Sequence, residues 1–183
     1  VLGALSAGFI PAFTSLIKSP LEKIKYLLGS DHEEAWRLAS SILNILGAGL
    51  LILCGLAVIF APWIIRLITP GFNLEKLDLT ISLSRIMFLS PIFLGISSVF
   101  GGILQSFKRF FVYSMSPIFY NVGIIIGALY LVPLWGVYGL AWGVVLGAAA
   151  HMAVQLPALV RLGFKYSFKF DFKNSRVIKI WLI

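Results

Sequence analysis

All seven carboxylates of this chain, Glu22, Asp31, Glu33, Glu34, Glu75, Asp78 and Asp171, stand in polar stretches between long uncharged runs. Ion-coupled carriers keep an ionisable group inside an apolar segment as a relay or ligand. No acid occupies such a place here, so any coupling ion is expected to bind outside this chain. Cys54 is alone in the middle of an apolar run, which excludes a disulfide within the chain and makes it filler. His32 lies in a polar loop and His151 in an apolar run; neither has the partners of a zinc site, which takes about four ligands. His151 is left two roles, a hydrogen bond to a neighbouring helix or a functional group. No nucleophile has a base nearby and no glycine-rich loop follows a strand. The pattern points to no enzyme, no cofactor and no metal.

What must position the remaining polar groups is a set of long apolar segments. Leu38 to Ile65, Ile86 to Phe107 and Phe110 to Val160 contain no Asp, Glu, Lys or Arg, which gives runs of 28, 22 and 51 residues. A hydrocarbon core of about 30 Å takes about 20 apolar residues per helix, so the last run has to fold back once. Soluble helices alternate apolar and polar stripes, and these runs have none. With 60% hydrophobic residues and a mean hydropathy of +0.98, the expected fold is an all-α, polytopic transmembrane helix bundle.

The spans are expected at about 1–17, 39–61, 83–105, 111–132 and 138–159. The first is short and begins on Val rather than Met, so the chain is expected to be cut at its start. Pro62, which lacks an N–H, is expected to stop the second span at the Ala61-Pro62-Trp63 corner. Thr69-Pro70-Gly71-Phe72 marks a turn, Pro91 a kink in the third span, and Pro133 to Gly136 a short turn. Residues 161–176 alternate aromatic and cationic side chains, which suits a short strand by period or an interfacial linker with rings at headgroup level and lysines reaching phosphates. Residues 177–183 open another apolar helix.

Cation placement tests this layout, because Lys and Arg collect on cytoplasmic loops. Lys18, Lys23, Lys25, Arg37, Lys108, Arg109, Arg161, Lys165, Lys169, Lys173 and Arg176 fall on one side, against Arg66, Lys76 and Arg85 on the other. Five crossings with Lys18 to Arg37 inside satisfy the bias. The net charge of +8 then reads as orientation and contact with anionic membrane lipids, not nucleic-acid binding. Lys108, Arg109, Lys165, Lys169 and Lys173 are the expected headgroup or interface contacts.

Ser6, Asn44, Ser97, Ser98, Asn121 and Gln155 lie inside spans, where polar groups bond to a neighbouring helix or face a wet cavity. Asn121 and Gln155 rank first because an unpaired amide is costlier than an unpaired hydroxyl. Gly139, Gly143 and Gly147 fall on one helix face, and Gly123 and Gly127 repeat the spacing on the preceding span, which suits close helix packing within one bundle.

The same residues carry a family resemblance. The opening Gly3-Ala-Leu-Ser-Ala-Gly-Phe-Ile-Pro11-Ala-Phe13 resembles the second transmembrane helix of the MurJ (MviN) lipid II flippases, in the multidrug/oligosaccharidyl-lipid/polysaccharide (MOP) exporter superfamily. Ala61-Pro-Trp63, Thr69-Pro-Gly-Phe72, Gly101-Gly-Ile-Leu-Gln-Ser-Phe-Lys-Arg-Phe110, Ser116-Pro-Ile-Phe-Tyr-Asn121, and Gln155-Leu-Pro-Ala-Leu159 with Gly163 follow in that family's order. The resemblance implies part of the first lobe of a two-lobed, 14-helix transporter, from about helix 2 to the start of helix 7, with 161–176 as a cytoplasmic inter-lobe linker.

It also implies a place in the bacterial cytoplasmic membrane and a cargo, lipid II, the undecaprenyl-pyrophosphate-linked peptidoglycan precursor, moved by alternating access. The family's cavity arginines come from helices 1 and 8 and the stretch before helix 2, so none is transferred to Arg66, Arg85 or Arg109. The second helix borders the family's cavity, which makes Ser6 the candidate there, beside Asn121 and Gln155. Where the family often has an acid before the Gly-Ala-Leu-Ser run, this chain has Leu2. The alternatives are a related polysaccharide-lipid flippase, a MATE-type drug exporter, and a non-transporting membrane scaffold or enzyme.

Overall fold

The computed structural model describes residues 2–17 and 33–168, except for the side chains of residues 2–6. The expectations placed on Val1, on the loop with Lys18, Lys23, Lys25 and His32, on Lys169, Lys173 and Arg176, on the apolar start at 177–183 and on the side chain of Ser6 lie outside the described residues.

All regular structure among the described residues is helical. Helix α1 runs Leu2–Ile17, α2 Glu33–Ile68, α3 Leu74–Met87, α4 Ser90–Ser106 and α5 Phe110–Ile126. A π-helical stretch, Gly127–Leu131, leads into α6, Val132–Trp135; α7 is Val137–Ala153 and α8 Leu156–Arg161. Four helical stretches among the described residues are long and apolar enough to cross a membrane: Glu33–Ile68, Leu74–Ser106, Phe110–Trp135 and Val137–Arg161.

Helix α2 opens with Glu33 and Glu34 in its first turn and carries Arg66 in its last, each favourable for the helix dipole. Its 36 residues extend about 54 Å, well beyond the hydrocarbon thickness. The helix does not stop at Pro62, where the sequence suggested a corner. Pro62 cannot donate to the carbonyl of Val58 four residues earlier, and Arg85 supplies the missing donor: its Nε–H reaches that oxygen at 3.2 Å.

The turn after α2 is closed by Phe72 N–H donating to Thr69 O at 3.2 Å. Asn73 then caps α3, its side-chain oxygen accepting from Lys76 N–H at 3.0 Å. At Pro91 the expected kink is a break. Helix α3 ends at Met87 and α4 restarts at Ser90, with Pro91 in a first turn whose N–H groups have no intrahelical partner. The expected turn at Pro133 to Gly136 narrows to Gly136, whose φ of 57° and ψ of −141° suit a residue without a Cβ.

Two compact units divide the chain, the first made of residues 1–48, 95–115 and 153–183, the second of 49–94 and 116–152. The core of the first is aromatic. Phe9 stacks on Phe13 at 5.2 Å between ring centres, Phe13 meets Trp36 at 5.7 Å, and Trp36 stacks on Phe107 at 5.7 Å and takes the edge of Phe164 at 5.5 Å. Pairs of this kind contribute about 0.5–1.5 kcal/mol beyond their buried area. Gly102 makes room for this ladder: a Cβ there would come within 2.6 Å of the Phe9 ring.

The second unit replaces rings by bare backbone. Gly123 of α5 and Gly127, the first residue of the π-helical stretch, face Gly147 and Gly143 of α7, so close that a Cβ on Gly127 would run into the Gly143 Cα. This is the close packing within one bundle that their spacing suggested. A smaller cluster of Ala61, Leu77 and Ile81, flanked by Ile65 and Phe88, packs α3 on the end of α2. Outside these contacts α2 exposes Leu51, Ile52, Leu53, Ile59, Trp63 and Leu67, an apolar surface suited to lipid.

Candidate functional site

Gln155 is the more deeply placed of the two cavity candidates whose side chains are described. It sits at the junction of α7 and α8, fully buried, and its Nε2 donates to the hydroxyl of Ser97 on α4 at 2.6 Å. This is a contact between helices, the first of the two roles open to it. Asn121, in the second unit, is exposed on α5 and donates its Nδ2 back to Pro117 O at 2.9 Å. Ser6 lies on α1.

The cations Lys108 and Arg109 form the turn that ends α4. Arg109 N–H donates to Leu104 O at 2.7 Å and Lys108 N–H to Gln105 O at 2.9 Å, the paired bonds of a Schellman cap. That cap needs a left-handed residue, usually glycine; here Lys108 takes it with φ of 58°. A side chain in this region costs about 1–2 kcal/mol. What the chain gains is an exposed ammonium beside the exposed Arg109 guanidinium, at the tip of a turn. Arg161 and Lys165 of the same unit are exposed too.

A polar anchor, of which the sequence picked out only Asn44, joins the stretch after α8 to α2. Ser167 N–H donates to Ser40 Oγ at 3.0 Å, Asn44 Nδ2 donates to Ser167 O at 3.2 Å, and Tyr166 donates its hydroxyl to Asn44 Oδ1 at 2.5 Å. Phe164 adds its ring to Trp36 and, at 6.3 Å, to Phe100. Between Phe164 and Phe168 the chain is neither helix nor strand, so of the two readings of this segment the strand is excluded there. The available signal was Ser40 and Asn44, one helical turn apart on one face of α2.

The other polar groups do less. The rings of His151 and Tyr120 meet edge to face at 6.5 Å. Cys54 is buried and unbridged. Among the described residues no three His, Cys, Asp or Glu side chains gather as a metal site requires. Trp135, Tyr138 and Trp142 line an open cleft of about 460 Å³, an aromatic group of the kind found at membrane interfaces.

This arrangement can hold helices together and present cations to phosphates. The family model described as lipid II flippase MurJ matches residues 2–182. The chain belongs to that family. It is 30% identical over 182 residues to the probable lipid II flippase MurJ of Buchnera aphidicola subsp. Acyrthosiphon pisum, covering 97% of this chain and 34% of that protein. Against the probable lipid II flippase MurJ of Vibrio cholerae it is 30% identical over 183 residues, with 97% of this chain and 34% of the relative covered. The lipid II flippase MurJ of Burkholderia cenocepacia is 27% identical over 164 residues, with 87% and 30% covered.

The chain thus spans about a third of the length of the curated relatives it matches. MurJ is a family of transporters rather than enzymes, and its members reside in the bacterial inner membrane. Membership and the four long apolar helical stretches make this chain an integral, multi-pass protein of that membrane.

Proposed function

We propose that this chain is the first-lobe part of a lipid II flippase, which moves the undecaprenyl-pyrophosphate-linked precursor across the cytoplasmic membrane by alternating access. The observation that carries the reading is the family match from residue 2 to residue 182. Physics supplies the need: a pyrophosphate-sugar headgroup cannot cross hydrocarbon unaided, because burying an unpaired charge costs far more than any single contact returns. Rocking of two lobes around a wet cavity removes that barrier while the lipid tail stays in the bilayer.

Within this scheme Ser6 on α1 and the exposed Asn121 on α5 are the cargo-path candidates, and Gln155 with Ser97 holds α4 against the end of the lobe. Lys108, Arg109 and Lys165, with Lys169 and Lys173, contact lipid headgroups, and 161–176 links the lobes at the cytoplasmic face. Any coupling ion binds elsewhere in the full-length protein, since the described helical spans carry no acid in their apolar interiors.

The test is complementation. The full-length parent gene is expressed in bacteria depleted of their own lipid II flippase, and lipid II exposed on the periplasmic face is assayed. Restored exposure and growth are expected. Failure at normal membrane levels would overturn the assignment and direct attention to a polysaccharide-lipid or drug cargo.

A further inference from the structure

Arg85 is exposed at the end of α3, yet it is held by one specific bond. Its Nε–H fills the gap that Pro62 leaves at the Val58 carbonyl of α2, at 3.2 Å, within the second unit. A guanidinium carries five N–H donors in a planar fork. The bond to Val58 uses one of them. The four on Nη1 and Nη2 have no partner among the described residues, and Asp78, seven residues earlier on the same helix, makes no ion pair with Arg85.

The setting is apolar. Val58 lies ten residues before the end of α2, about 15 Å along its axis, and the intervening turns expose Ile59, Phe60, Trp63 and Ile64. A cation held at such a surface needs an anion lying against it. Lipid phosphate matches the fork, because paired N–H donors grip two oxygens of one phosphate. A soluble anion would have to leave water for a surface of Trp, Phe and Ile; a lipid phosphate is already there.

We propose that Arg85 is a lipid-phosphate site: its Nε–H closes the break that Pro62 makes in α2, and the fixed Nη1–Nη2 fork holds the phosphodiester of one phospholipid at the membrane face bearing the Thr69–Phe72 turn. The proline and the arginine then work as one device. Pro62 creates the acceptor that orients Arg85, and without that acceptor the fork is free to rotate. This site does not depend on what cargo the protein carries.

The test is native mass spectrometry of the purified full-length protein titrated with phosphatidylglycerol, with dioleoylglycerol as the phosphate-free lipid and inorganic phosphate as the soluble anion. Wild type is expected to retain phosphatidylglycerol and not dioleoylglycerol, and inorganic phosphate is not expected to displace it. Arg85→Gln should weaken retention of one lipid by about tenfold, as loss of a charge-assisted pair predicts. Pro62→Ala, which gives Val58 its own helical donor and keeps every charge, should weaken it as well. Arg66→Gln, which removes an exposed cation on the same helix, should not. Equal retention by wild type and Arg85→Gln, an equal loss in Arg66→Gln, or an unchanged Pro62→Ala would each overturn the site, and displacement by inorganic phosphate would reassign it to a soluble anion. Thermal unfolding separates loss of the site from loss of the fold: Arg85→Gln should lower the melting temperature in the wild-type background and not in the Pro62→Ala background.

Discussion

Gly143→Ala adds one methyl group where two backbones touch, and its cost can be worked from the geometry. The new Cβ would stand 2.8 Å from Gly127 Cα, 3.3 Å from Ile124 O and 3.4 Å from Gly127 N. Carbon atoms rest at about 3.5–4.0 Å, so α5 and α7 have to part by about 0.7–1.2 Å. None of the three neighbours is a side chain that can swing away. Overpacking of this kind costs about 1–3 kcal/mol, which is about a five- to 150-fold loss in the folding equilibrium. Gly55→Ala is the control, because no heavy atom beyond its own stretch of helix lies within 4 Å of its added Cβ and it gains up to about 1 kcal/mol of helix propensity. The assay is unfolding of the full-length protein from mild detergent into SDS, followed by tryptophan fluorescence. Gly143→Ala should unfold at a clearly lower SDS fraction than wild type, and Gly55→Ala at the same fraction or a higher one. Coincident curves for the two variants would refute the backbone-contact argument.

Ser97→Ala removes the acceptor of the Gln155 amide in a buried position and should cost about 0.6–1.7 kcal/mol in the same SDS titration, the range for hydrogen bonds between membrane helices; no shift would mean that the 2.6 Å bond contributes nothing. Lys108→Gly relieves the left-handed side chain in the α4 cap and should raise stability by about 1 kcal/mol, read as a higher melting temperature; an unchanged or lower value would contradict the strain assigned to Lys108. Tyr166→Phe deletes the hydroxyl that meets Asn44, and hydrogen exchange at the Ser167 amide should speed up about fivefold, the equivalent of a ~1 kcal/mol bond; unchanged protection would show that Ser40 and Asn44 hold the segment without the tyrosine.

Where the helices lie was legible because lipid imposes a simple rule: the charge-free runs around Leu38, Ile86 and Phe110 all fall in helical stretches long enough to cross. Proline was harder to read. Pro62 and Pro91 give one local signal, a missing N–H, but its outcome depends on distant residues. At Pro62 the helix continues because Arg85, 27 residues away, donates to the freed carbonyl, whereas at Pro91 it restarts because the proline falls in a first turn. The glycine faces were legible from spacing alone, since a four-residue repeat marks one side of a helix. Gln155 stood out as a costly amide, but its partner Ser97 lies 58 residues away and nothing local names it. Asn44 was named but its partners Tyr166 and Ser167 were not, and Ser40 was hidden for the same reason: a hydroxyl and an amide on an apolar helix look alike whether they meet a ring, a backbone or a cavity.

The anchor at Ser167 also sets where the chain after α8 is held. Counted by sequence, a connecting segment starts at Arg161, where α8 ends. Counted by attachment, it starts after Ser167, which is held at both its N–H and its carbonyl. The six intervening residues would contribute about 20 Å of reach if extended, and pinned to α2 they contribute none. A pull on Ser167 arrives at Ser40 and Asn44, a patch one helical turn long near the start of α2, so the load passes to a rigid rod rather than to the end of α8.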